Sequence, residues 1–386
     1  MFITNDIRYI GVNDHEIDLF EGMYIVPNGM AYHSYVILDE KIAVLDSVER
    51  KFGAQWLAQL EAELCGRTPD YLIVQHMEPD HSANITLFTE KYPQATVVAS
   101  AAAFNMMKQF FGTDFADRRM VIKEKDTLSL GRHTLQFFAA PMVHWPEVMM
   151  TYDSTDKVFF SADAFGKFGA LDTEDEDGWA CEARRYYFGI VGKYGAQVQA
   201  LLKKLETLDI AVICPLHGPI LNENLPYYLD LYNTWSAYGT ETEGVCICYT
   251  SVYGHTKEAA EKLAEMLEAK GCPKVAVNDL ARCDMAEAVE DAFRYGRMVV
   301  AAASYDAGLF TPAWNFLHTL QMKAYQKRKV ALIENGSWAP SAARVMKEMF
   351  AAMKEVQQVG ETVTIKSRLR ETDKPALEAL ANAVLA

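Results

Sequence analysis

The 386-residue sequence predicts two domains in tandem, a strand-rich α+β domain carrying metal ligands and then an α/β domain built on a doubly wound parallel sheet. Three observations lead there. Residues 75–81, Gln-His-Met-Glu-Pro-Asp-His, pack four metal-binding side chains directly behind the apolar run Tyr71-Leu72-Ile73-Val74. Three later strand-like runs are each followed closely by a His or Asp. From Val245 onward the pattern changes to regular strand and helix alternation, the signature of a parallel sheet.

Taken in order, residues 1–50 read as short strands and turns. Runs 23–26 and 35–38 are strands separated by Pro27-Asn28-Gly29, and 41–45 is a third, closed by Asp46. Residues 52–64 carry Trp56, Leu57, Leu60 and Leu64 at helical spacing, which predicts an amphipathic helix. The strand 71–74 follows. Pro79 disfavours a helix before it and favours extended backbone at Glu78, so the donors are expected on a rigid loop. On that loop His76, Glu78 and Asp80 can project to one side and His81 to another, an arrangement suited to two metal ions. Strand 135–140 then leads to His144, strand 158–162 to Asp163, and strand 210–214 to His217-Gly218. Function carried on loops at one edge of a sheet is the usual arrangement of a catalytic site. His15, His133 and His318 lack this setting and read as structural or surface residues; His33, beside a turn, could reach a second layer around the site.

Residues 221–238 are aromatic and helical in pattern, and 236–244 is a polar, glycine-flanked linker, dividing the chain into 1–240 and 244–386. Beyond it, strands at 245–249, 275–277, 298–303, 330–333 and 362–365 alternate with helices, the last spanning 374–385. Five strands in this rhythm suggest a flavodoxin-like domain. Its first loop, Ser251-Val252-Tyr253-Gly254-His255-Thr256, offers two hydroxyls, a glycine and a helix N-terminus, the chemistry that holds a phosphate. It lacks the lysine of a nucleoside-triphosphate loop, which favours a monophosphate. Ligands of doubly wound sheets sit at the carboxyl ends of the strands. Two further strand ends supply Ser304, Tyr305, Asp306, Ala307, Gly308 and Leu309, then Asn335, Gly336, Ser337 and Trp338. Tyr305 and Trp338 could flank a flat ring. Together these loops predict FMN.

Composition narrows the function. Net charge is −15, which argues against nucleic acid and anionic membrane as partners. No run approaches the roughly 18 apolar residues of a membrane span. The N-terminus has no basic start followed by an apolar core, so a cytoplasmic location is expected. Seven scattered cysteines form no C-x-x-C pair, so no rubredoxin-like or iron–sulfur module is expected. Cys246 and Cys248 read as core packing.

On these residues the chain resembles the flavodiiron proteins along essentially its whole length. That resemblance implies a metallo-β-lactamase-like αββα sandwich followed by a flavodoxin-like domain. It assigns His76, Glu78 and His144 to one iron, Asp80, His81 and His217 to the other, and Asp163 as the catalytic bridge. It further implies reduction of O2 to water, of NO to N2O, or both. The electrons pass through FMN from a separate donor, rubredoxin or a reduced deazaflavin. The expected assembly is a head-to-tail homodimer, or a dimer of such dimers, with the FMN of one copy beside the irons of the other. Two segments depart from the family pattern: His33 stands where a smaller amide was expected, and 335–340 is less glycine-rich. A dinuclear zinc hydrolase with a flavodoxin-like accessory domain is the alternative. Glu78 speaks against it, because zinc hydrolases of this fold have His there.

Overall fold

A computed structural model describes residues 1–174 and 178–386. The chain divides into two compact units, Met1–Asn233 and Thr234–Ala386.

In the first unit two sheets stack face to face. One has six strands in the order Ile7–Tyr9, Tyr35–Ile37, Ala43–Leu45, Tyr71–Val74, Thr96–Ser100 and Arg119–Ile122. The other has five, Thr127–Ser129, Thr134–Ala139, Met149–Asp153, Val158–Phe160 and Val212–Cys214. Their facing side chains form one apolar layer, with Tyr35, Leu45, Ile73 and Val98 from the first sheet against Leu135, Phe137, Val158 and Phe160 from the second. Helix Gly53–Leu64 buries Trp56, Leu57, Leu60 and Leu64, the stripe its sequence spacing requires. Helix Ala101–Phe111 is capped by Ser100, whose hydroxyl accepts from the Ala103 amide, and ends at Gly112 in the left-handed region. This is the α+β sandwich expected for the first half.

Strand direction places the site. Val158–Phe160 and Val212–Cys214 run parallel, so their following loops leave the same edge. The turn after Thr134–Ala139 comes to that edge too, because Met149–Asp153 returns antiparallel from it. The Met149 amide donates to the Gln75 carbonyl at 3.0 Å, tying the loop after Tyr71–Val74 to the second sheet.

At the start of Thr134–Ala139, away from that edge, His133 is fully buried. Its Nδ1 lies 2.9 Å from Asp153 Oδ2 and its Nε2 3.3 Å from Asp6 Oδ2. Burial lowers the ring's proton affinity, but the hydrogen bond and charge of Asp153 override it and raise the pKa above 6.5. A folded pKa above the unfolded one stabilises the protein fully below about pH 6.5, and the gain fades as pH rises through the folded value. The melting temperature of the wild type should therefore fall from about pH 6 to about pH 8.5 more than that of His133→Gln, by roughly 2–4 °C per kcal/mol of linkage. Parallel curves for the two proteins would refute the coupling.

In the second unit the strands run parallel in the order Val275–Asp279, Thr242–Tyr249, Tyr295–Tyr305 and Arg328–Asn335. Numbered along the chain this is the flavodoxin order, 2-1-3-4 and then 5. The fifth position is shared by two short pieces, Val356–Gln358 and Val363–Ile365, where the sequence suggested one strand. Leu263, Leu267, Leu377 and Leu380 cover Val245, Ile247, Val299 and Ile333 on one face. The linker is shorter than its composition suggested. Helix Leu225–Ser236 runs into the polar stretch and the strand starts at Thr242, leaving 237–241 irregular. Arg328, 2% exposed, pins it by donating to the carbonyls of Tyr238 at 2.6 Å and Gly239 at 2.9 Å. Cys246 and Cys248 are buried on one face with sulfurs 3.4 Å apart, and all seven cysteines are free thiols.

Candidate metal centre and cofactor pocket

Each candidate ligand of the first unit stands just beyond a strand end, and the fold gathers all seven into two groups. His76, Glu78, His144 and Asp163 form one; Asp80, His81 and His217 form the other. In the first, Glu78 Oε2 lies 3.2 Å from His76 Nε2 and 2.9 Å from His144 Nε2. In the second, Asp80 Oδ2 lies 3.3 Å from His81 Nε2 and 3.4 Å from His217 Nε2. Asp163 joins them. Its Oδ2 is 2.9 Å from His144 Nε2 and 3.3 Å from His76 Nε2, while its Oδ1 faces His81 Nε2 at 3.4 Å and His217 Nε2 at 3.9 Å.

The local backbone differs from the rigid loop expected. Glu78 is extended, with φ −59° and ψ 139°, but Pro79 occupies the first position of a one-turn helix, Pro79–Ser82. Proline is well accepted there because its missing N–H would be unpaired anyway. The turn sends Asp80 and His81 away from His76 and Glu78, which is how adjacent residues come to serve different groups. After His217, Gly218 has φ +78°, and a Cβ there would stand 2.6 Å from the Lys167 side chain. Only glycine lets that loop close so tightly.

Of the residues that support the candidate ligands, the sequence pointed only to His33. Glu147 is fully buried and accepts from His76 Nδ1 at 2.8 Å and from the Met77 amide at 2.8 Å. Asp46 accepts from the Gln75 amide at 2.7 Å and from its side-chain amide at 2.9 Å. His217 Nδ1 donates to the Ala31 carbonyl at 2.7 Å. His33 stands 2.7 Å from the carbonyl of Pro215, two residues before His217, and burial lowers its pKa to about 3, so it is a neutral support. Tyr186 is fully buried with its ring 5.6 Å from the His217 ring, and its hydroxyl has no hydrogen-bond partner among the described residues. A carboxylate three residues after His144 was the one sequence signal for Glu147.

The electrostatics suit cations. Burial pushes the Asp163 carboxyl up, but the facing imidazoles of His76, His144 and His81 override it and hold it well below the usual range. Burial lowers His144, but the close carboxylates of Asp163 and Glu78 raise it to about 9. Carboxylates and imidazolium rings thus neutralise one another in the protein alone, and uptake of a metal would release those protons. The oxygens of Asp80 and Asp163 accept no hydrogen bond of sound geometry despite their burial. Buried, unsatisfied and convergent oxygens facing histidine nitrogens fit a pair of metal ions.

A third acid–histidine group, Asp6, His133 and Asp156, does not share this character. The Arg132 guanidinium already bridges Asp6 and Asp156, at 2.5 and 2.6 Å.

In the second unit the loops at the carboxyl ends of three parallel strands surround a cavity of about 550 Å³. Ser251, Val252, Tyr253, His255 and Thr256 line it from the first loop, Ser304, Tyr305, Asp306 and Ala307 from the second, Asn335, Gly336, Ser337 and Trp338 from the third. Of the residues expected here, Gly254, Gly308 and Leu309 are not among the lining. Gly254 turns the chain at φ +93° into helix His255–Ala269, and Gly308 and Leu309 pair back onto Tyr305 and Ser304. Ser367 lines the cavity unexpectedly, because the Asn335 side chain grips its amide and carbonyl. Thr256 is buried in the first helical turn, beside amides that favour an anion. Tyr253 and Trp338 stand 89% and 92% exposed at the rim.

The comparisons agree with both halves. Residues 30–218 match the model of the ODP family beta lactamase. Diflavin flavoprotein A 1 of Synechocystis sp. is 33% identical over 298 residues, covering 75% of this chain and 51% of that protein. The anaerobic nitric oxide reductase flavorubredoxin of Vibrio vulnificus is 27% identical over 347 residues, covering 87% and 70%. The chain thus spans only about half the length of that diflavin relative. Rubredoxin oxygen:oxidoreductase from Desulfovibrio gigas shares the fold at a TM-score of 0.93, with 23% identity over 100% of this chain and 97% of that one. The chain is similar in sequence to diflavin flavoproteins and a flavorubredoxin, and it shares the fold of the flavodiiron protein from Giardia intestinalis. The flavodiiron fold accounts for the pairing of a β-lactamase-type sandwich with a flavodoxin-type sheet. Among the described residues no helix is long and apolar enough to cross a membrane.

Proposed function

We propose that the chain is an oxidoreductase that reduces O2 to water, NO to N2O, or both, at a diiron centre supplied with electrons through FMN. The observation that supports this most is the division of the Asp163 carboxylate between two matched donor sets, each with two histidines and one further carboxylate. His76, Glu78 and His144 would hold one ion, Asp80, His81 and His217 the other, with Asp163 shared. Glu78, in place of a histidine, makes the set hard and anionic, which suits iron cycling between two oxidation states. Both gases are offered because the names of the Vibrio relative and the Desulfovibrio structure divide between them.

The FMN phosphate would rest on the 251–256 loop and the N-terminus of His255–Ala269, with Tyr305 and Trp338 beside the ring. When bound, the iron pair supplies electrons and a place for both atoms of a diatomic gas. The protein orients the ligands through Glu147, Asp46 and the Ala31 carbonyl. Burial, with the charges of Asp163, Glu78 and Asp80, raises the Tyr186 pKa well above its usual value. Its Oη therefore keeps its proton and can donate a hydrogen bond at that side of the site. The proposal includes a separate donor, rubredoxin or reduced deazaflavin, and a head-to-tail homodimer, alone or doubled, that sets the FMN of one copy beside the metals of the other.

The test is the content of the purified protein, followed by anaerobic reduction and exposure to each gas. Two irons and one FMN per chain, with rapid reoxidation by O2 or NO, are expected. Zinc without flavin, together with hydrolase turnover, would replace this reading with the hydrolase.

A further inference from the structure

We propose that Glu147 makes the two metal positions unequal, so that the His76–Glu78–His144 position fills before the Asp80–His81–His217 position. This rests on reading the seven donors as a two-metal centre.

The two positions match in what they offer a metal directly, since each has two imidazoles, one carboxylate and a share of Asp163. They differ one layer out. A ligating imidazole binds through one nitrogen, and the partner of its other nitrogen sets ring orientation and basicity. At the first position the His76 Nε2 faces the donors while its Nδ1 is held at 2.8 Å by Glu147, an anion that is itself fully buried. A carboxylate in so dry a place strengthens the imidazole as an electron donor more than a neutral acceptor can. At the second position His217 Nδ1 has only the neutral Ala31 carbonyl, at 2.7 Å. His81 Nδ1 is buried and has no hydrogen-bond partner among the described residues. The geometry therefore backs one position with charge and leaves the other with a carbonyl and an unheld ring. Glu147 is also fixed in place, since the same Oε1 accepts from the Met77 amide and its own carbonyl accepts from Ser100 Oγ at 2.9 Å. It is a positioning residue, acting through His76.

The experiment is an anaerobic titration of metal-free full-length protein with Co(II), followed by its visible absorption in competition with a chelator. The wild type should bind two ions in resolved steps, and His81→Asn should lose only the weaker step. Glu147→Gln keeps the size and an acceptor oxygen but removes the charge. It should weaken the tighter step roughly 10- to 100-fold and draw the two steps together, with Glu147→Asp recovering part of the difference. Two wild-type steps of equal affinity would overturn the proposal and leave the two-metal centre standing. So would unchanged steps in a Glu147→Gln protein that melts like the wild type. Fewer than two cobalt ions per chain would sink the two-metal reading and this inference with it. If Glu147→Gln does not fold, the wild-type and His81→Asn titrations decide alone.

Discussion

Asp163→Asn should abolish gas reduction and reduce bound iron from two ions towards one, while FMN stays bound. Asp163 is 1% exposed and reaches both donor groups, one oxygen to each. Asparagine retains the shape but has a single acceptor oxygen. Its NH2 would aim two hydrogens at His81 and His217 or at His76 and His144, according to its orientation. It also removes one negative charge from a site made to attract cations. Loss of a buried charged partner exceeds what loss of an outer-layer support costs, so turnover should fall by at least about 100-fold. Flavin absorbance and melting of the second unit should not change. Full activity, or two tightly held irons, in Asp163→Asn would break the bridging assignment.

Thr256→Leu should do the converse, emptying the protein of FMN while two irons remain. Thr256 lines the cavity and is buried in the first turn of His255–Ala269, where the helix presents unpaired amides. Leucine removes the hydroxyl and fills the phosphate position with hydrocarbon. The two inactive chains then interrogate the assembly. If flavin of one copy serves the metals of another, coexpression of Asp163→Asn and Thr256→Leu should restore roughly a quarter of wild-type activity, since half of randomly assorted pairs are mixed and each mixed pair has one working site. No recovery in verified mixed dimers would mean that flavin and metals act within one chain.

The seven candidate ligands could be picked out from sequence because the information is local. A short apolar run ends, and a donor follows within a few residues, as at Val74 and His76 or Phe160 and Asp163. Fold class was readable for the same reason, from apolar runs and their rhythm. What was not readable depends on distance along the chain. Glu147 meets His76 across 71 positions and His33 meets the Pro215 carbonyl across 182. Nothing in either neighbourhood announces its partner. In the cofactor loops Gly254 sits between lining residues and Gly308 and Leu309 just past them, where they turn or pair the chain. Pro79 misled through its usual role as a helix breaker, when at a helix's first position it is a starter.

The candidate ligands come from loops of two different sheets, His76 to His81 from the six-stranded one and His144, Asp163 and His217 from the five-stranded one. Along most of their length these layers are joined by hydrocarbon, but at the ligand edge they are joined by charge. On the proposed reading, each bound ion is a clasp across that seam, and iron supply enters the folding equilibrium of the first unit by mass action. Flavin enters only that of the second. A cell short of iron and a cell short of riboflavin would then wear down the same polypeptide from opposite ends.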